Sequence, residues 1–89
     1  MNGLESAREQ IEDIDRQMAG LFERRMKCAR AIAAYKKENG LPIYDPAREK
    51  SLEEKNEKYI EDGVLVPYYR DFLRSLIGIS KQYQNDIMS

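Results

Sequence analysis

Arg25 sits where a hydrophobic residue belongs. From Leu4 to Tyr35 the residues at heptad spacing are Leu4, Ala7, Ile11, Ile14, Met18, Leu21, Arg25, Cys28, Ile32 and Tyr35, and Arg25 is the one charge among them. A guanidinium stays ionised at any ordinary pH and is costly to bury without an anion, so this position asks for a negative partner. That partner can be a glutamate of a neighbouring helix or an anionic small molecule. Lys36 lies eleven residues on, close to three helical turns, and projects from a similar face. Further along, Asp45-Pro46 is followed at once by Arg48 and Glu49, and Ser80 and Gln84 stand four apart, one turn of helix. These types can bind carboxylates, accept from a hydroxyl and donate to an ether or carbonyl oxygen. They offer no strong nucleophile.

What is missing narrows the chemistry further. The 89 residues include no histidine and a single cysteine, Cys28. No side chain therefore titrates near neutrality without help from its surroundings, and zinc or transition-metal sites lack their usual ligands. No cofactor is expected. Cys28 cannot form an internal disulfide, and its place on the seam predicts a reduced, buried thiol in a cytoplasmic protein. Fifteen basic residues against sixteen acidic ones, with no basic stripe, argue against a nucleic-acid partner. No apolar run reaches membrane-spanning length, and the N-terminus lacks a charged-then-apolar leader pattern.

Three helices must position these groups. The first is expected over Leu4 to Glu38, stopped by Asn39-Gly40 and Pro42. At ~1.5 Å per residue it would be ~50 Å long, more than a compact domain of this size needs. The second opens at Asp45, a strong N-cap, with Pro46 in the first turn, and continues through Tyr59 to a stop at Gly63. It is highly charged and is expected to be mostly a solvated face. The third runs from about Val66-Pro67 to Ile87 with the seam Tyr69, Leu73, Leu76, Ser80, Tyr83 and Ile87. No alternating strand pattern is present, so the fold class is all-α, a single domain over residues 1–89 with long, short and medium-long helices.

Arg8 flanks the first seam but lies seventeen residues before Arg25, ~25 Å along the axis. One small ligand cannot touch both from a single helix. If two chains pair their first helices antiparallel, crossing near the small residues Ala19 and Gly20, Arg8 of one reaches the level of Arg25 to Lys36 of the other. The expectation is an antiparallel homodimer with two composite sites.

Taken together, Arg8, Arg25, Lys36, Asp45-x-x-Arg48-Glu49 and Ser80-x-x-x-Gln84 on three helices resemble the all-helical chorismate mutase family. The resemblance covers essentially the whole chain and is specific through the order and spacing of eight residues. It implies an intertwined homodimer that converts chorismate to prephenate, with one arginine of each site coming from the partner chain. By the same resemblance, Arg25 and the partner's Arg8 would bind the two carboxylates, and Lys36 and Gln84 would donate to the ether oxygen. Glu49 would accept from the ring hydroxyl, Asp45 would shape the helix start beside it, Ser80 would support the ring carboxylate, and Arg48 would add positive potential.

Each residue also has an ordinary reading. Arg8, Lys36 and Arg48 can be solvated charges, Asp45 is fully explained as a cap, and Glu49 can complement the helix dipole. Ser80 can be a small packing residue and Gln84 a surface one. Two other functions suit the pattern: an isochorismate pyruvate-lyase with a similar cationic pocket, and a non-catalytic helical dimerisation or regulatory module. Glu49 separates the mutase from the lyase. A charged and a polar residue on the seams argue against the module.

Overall fold

The computed structural model describes residues 2–89. Three α-helices follow one another: α1 (Gly3–Glu38), α2 (Pro46–Glu57) and α3 (Val66–Met88), with a 3₁₀ turn at Gly63–Leu65 leading into the last. Among the described residues there is no strand, and no helix is long and apolar enough to cross a membrane.

Each helix boundary has a local cause. Asn2 Oδ1 accepts from Glu5 N–H at 2.8 Å and caps α1. At the other end, Leu41 N–H donates to Lys36 C=O and Gly40 N–H to Lys37 C=O, with Gly40 at φ +64°. This is a Schellman closure, in which a left-handed residue turns the chain out of the helix. Asp45 Oδ1 accepts from Arg48 N–H at 3.0 Å and starts α2. That helix stops at Glu57, short of the expected Tyr59 to Gly63 region. The chain turns instead through Tyr59 N–H to Asn56 C=O and Ile60 N–H to Glu57 C=O, while the Asn56 amide bonds back to Leu52 C=O. A side-chain amide competing for backbone carbonyls in this way favours an early end. Asp62 then caps the 3₁₀ turn through Val64 N–H.

The core of the chain is very small. Its buried apolar residues are Ala29, Ala33, Leu73 and Ile77, where α3 packs against the C-terminal half of α1. The alanines let the helices approach closely. The buried stripe of α3 is Leu73, Ile77, Ser80 and Gln84, so Ile77 and Gln84 replace Leu76 and Tyr83 of the expected seam. The stripe follows the true helical period, which drifts off a strict seven-residue repeat.

Most of the expected α1 seam is open to solvent in the single chain. Leu4, Ile11, Ile14, Met18, Leu21 and Ile32 are all exposed, and so is Cys28, contrary to the expectation of a buried thiol. Two causes act: α3, at 23 residues, covers only part of the 36-residue α1, and where the helices meet it packs on the Ala29–Ala33 face, which leaves Cys28 and Ile32 uncovered. The radius of gyration is 16.3 Å, against ~12 Å for a compact domain of this length.

No residue of α2 is buried. It is tied to α3 by a ladder of ion pairs from Glu49, Glu53 and Glu57, spaced one turn apart, to Lys81, Arg74 and Arg70. The Arg70 guanidinium hydrogen-bonded to Glu57 holds that carboxyl below its ordinary value, and Arg70 is raised in turn. Rungs of this kind, screened by water, each contribute little to stability.

Candidate active site

Between the C-terminal half of α1, the start of α2 and the C-terminal half of α3 lies a hollow of about 300 Å³. That is the low end of the range for small-molecule sites. Seven of the eight residues picked from the sequence line it: Arg25, Lys36, Asp45, Arg48, Glu49, Ser80 and Gln84. Apolar walls come from Ala29, Ile32, Ile43, Leu52 and Ile77. Arg8 is exposed near the far end of α1 and does not line the hollow of its own chain.

Helix periodicity sets the α1 side. Arg25, Ala29 and Lys36 fall on the face turned toward α3, and Arg25 and Lys36 are half-buried. Lys36 Nζ donates to Ile43 C=O at 3.0 Å, which ties the end of α1 to the segment leading into α2. The Asp45 cap does the same for α2. By accepting from Arg48 N–H it fixes where the helix begins, and so where Arg48 and Glu49 point. The free amides and positive dipole end of that first turn add to the potential over the hollow.

On α3, Ser80 and Gln84 are the two buried polar residues. Gln84 Nε2 donates to Ser80 Oγ at 3.1 Å, while Gln84 Oε1 is buried with no partner. The amide has two N–H donors and the serine takes one, so donor and acceptor capacity are both left over at the cavity wall. A buried, unmatched amide oxygen costs stability unless a ligand or water meets it.

The charges are uneven. Arg25, Lys36, Arg48 and Lys81 stand against Asp45 and Glu49, an excess of two positive charges on the lining. Among the described residues Arg25, Lys36 and Arg48 take part in no ion pair, so the reading of Arg25 as the partner of an internal glutamate fails. Three cations without an ion pair around one hollow suit a small anion carrying more than one negative charge.

Lys81 is a lining residue that the sequence did not single out. Its Nζ donates to Glu49 Oε1 at 3.3 Å, lies 3.2 Å from Oε2, and sits 4.8 Å from the centre of the Tyr44 ring. It stands beside Ser80, off the expected seam, and nothing in local spacing links it to a glutamate 32 residues earlier. Cys28 also lines the hollow, on its α1 wall.

The profile of the family described as chorismate mutase type II matches residues 7–85. Among similar proteins, the T-protein of Haemophilus influenzae is 29% identical over 86 residues, covering 96% of this chain and 23% of its own length. A bifunctional chorismate mutase/prephenate dehydratase of Aquifex aeolicus is 31% identical, over 92% of this chain and 25% of its own. The chorismate mutase of Methanocaldococcus jannaschii is 26% identical, over 90% of this chain and 86% of its own. The chain thus spans about a quarter of the length of the first two relatives and most of the third. No solved structure matches it. With the family profile matching it over nearly all its length, the chain belongs to the type II chorismate mutase family.

Proposed function

We propose that this protein rearranges chorismate to prephenate as a homodimer, by holding the reactive conformer and stabilising charge on the breaking ether bond. In this one-substrate step a carbon–oxygen bond breaks and a carbon–carbon bond forms, and no atom enters or leaves. It needs no nucleophile, and a chain without histidine suits it. The observation that carries the proposal is the group of cations without an ion pair, Arg25, Lys36 and Arg48, around one hollow with an excess of two positive charges. The substrate is a dicarboxylate.

In this reading Arg25 grips one carboxylate and the partner's Arg8 the other, each with a bidentate fork. Lys36 and the spare N–H of Gln84 donate to the ether oxygen, where negative charge builds in the transition state. Lys36 also serves a carboxylate. Glu49 accepts from the ring hydroxyl, Ser80 supports the ring carboxylate and positions Gln84, and Asp45 and Arg48 set the helix start and its potential. Holding the two ends of the substrate together removes much of the entropic barrier before the bonds change.

The dimer is supported by what one chain leaves undone. Four buried apolar residues among the described residues are a thin core, and an extended seam from Leu4 to Ile32 is uncovered. Its burial against a second copy would supply the missing hydrophobic stabilisation at ~25 cal/mol per Å². A lone Cys28 with no cysteine to pair with in the chain fits a reducing, cytoplasmic setting.

The direct test incubates pure protein separately with chorismate and with isochorismate and identifies the products by NMR. Prephenate from chorismate is expected. Pyruvate released from isochorismate alone would replace this reading with the lyase, and conversion of neither would leave a helical dimerisation module.

A further inference from the structure

Of the three ion-pair rungs that join α2 to α3, only Glu49–Lys81 lines the hollow; Glu53–Arg74 and Glu57–Arg70 lie outside it. Lys81 Nζ is within 3.3 Å of both oxygens of Glu49 and packs over the Tyr44 ring. Glu49 Oε2 is fully buried and makes no hydrogen bond, so it keeps acceptor capacity. The other lining cations that make no ion pair, Arg25, Lys36 and Arg48, suit a dianion, whereas a bare carboxylate at Glu49 would repel one.

We propose that Lys81 is a positioning residue of the site: its ammonium holds Glu49 in place and cancels its charge, so that the carboxylate can accept from a substrate hydroxyl without repelling a dianionic substrate. This rests on reading the hollow as a chorismate site, and it adds a residue that the family resemblance did not assign. A carboxylate that must face a dianion needs a counter-charge that the substrate does not consume. Lys81 supplies it from the wall, while Tyr44 restrains the long side chain by a cation–π contact. The three cations that make no ion pair then remain available to the substrate's own carboxylates.

The test compares Lys81→Met, Lys81→Arg, Glu49→Gln, the Lys81→Met/Glu49→Gln double variant and Arg74→Met. Arg74→Met removes a rung of the same ladder away from the hollow, so it reports what a merely structural role would do. Lys81→Met is expected to raise KM about tenfold with kcat changed less than about threefold, as for loss of one partner of a half-buried charge pair. Lys81→Arg should keep KM near wild type, and Arg74→Met should lower Tm with kcat and KM unchanged. In the Lys81→Met background, Glu49→Gln should lower KM, because it removes an uncompensated charge. An unchanged KM in Lys81→Met, a response confined to Tm as in Arg74→Met, or additive effects in the double variant would overturn the proposal. A folded wild-type protein inert toward chorismate would overturn the underlying reading as well, and that failure shows before any variant is made.

Discussion

Mixing two inactive variants should restore activity, if each site draws Arg8 from the other chain. The α1 helix is unbroken from Gly3 to Glu38, so Arg8 lies ~25 Å from Arg25 along a straight rod and cannot bend back to its own hollow. Lys36, by contrast, lines the hollow of its own chain. Arg8→Ala and Lys36→Ala each spoil both sites of a homodimer, and loss of one preorganised donor costs roughly a hundredfold to a thousandfold in kcat. Unfolded together in equal amounts and refolded, the chains should assort so that about half of the dimers are hybrids. A hybrid holds one site with both substitutions and one with neither. The mixture should therefore recover about a quarter of wild-type turnover per chain, far above either parent. Chorismate consumption followed by absorbance measures this, and native mass spectrometry counts the hybrids. If Arg8 served its own chain, each hybrid site would lack one residue and no recovery would follow. Parental activity in a mixture with hybrids present would therefore remove Arg8 from the partner's site.

Three further outcomes follow from single residues. Under the proposed mechanism Gln84→Ala should lower kcat about a hundredfold, because it removes the donor proposed for the ether oxygen, and steady-state kinetics reads it directly. Gly40→Ala should cost about 1 kcal/mol in urea unfolding; a Cβ there meets nothing within 4 Å, so the penalty is purely that of φ +64° for a residue with a side chain. Glu57 titrates below its ordinary 4.5 when folded because Arg70 hydrogen-bonds it, so its stabilising contribution is complete above that pH and is lost as pH falls through the depressed folded value. Glu57→Gln should flatten the acid limb of Tm against pH, and an unaltered limb would show that the pair contributes nothing.

Much of the site was legible before folding because helices turn spacing into direction. Arg25 and Lys36 on one face, Asp45 as a cap fixing Arg48 and Glu49, and Ser80 with Gln84 one turn apart are all local relations, and all seven residues line one hollow. Lys81 was not legible, since its partner Glu49 is 32 residues away and only the packing of α2 on α3 brings them together. The same holds for the Glu53 and Glu57 rungs, whose residues read in isolation as a solvated charged face.

Cys28 shows the limit from the other side. A heptad seam states that a face is apolar, but it does not state which partner covers it. Within the chain α3 chose the Ala29–Ala33 face, where small side chains permit close approach, and left the longer seam exposed. The sequence by itself determined the three helices, the stop of the first at Gly40 and the start of the second at Asp45, and the directions of the cations, because caps, glycine conformation and helical period act over a few residues. Only the tertiary structure decided which apolar faces meet within the chain, which carboxylates are matched by cations and which cations stay free, because those depend on contacts between residues far apart along the chain.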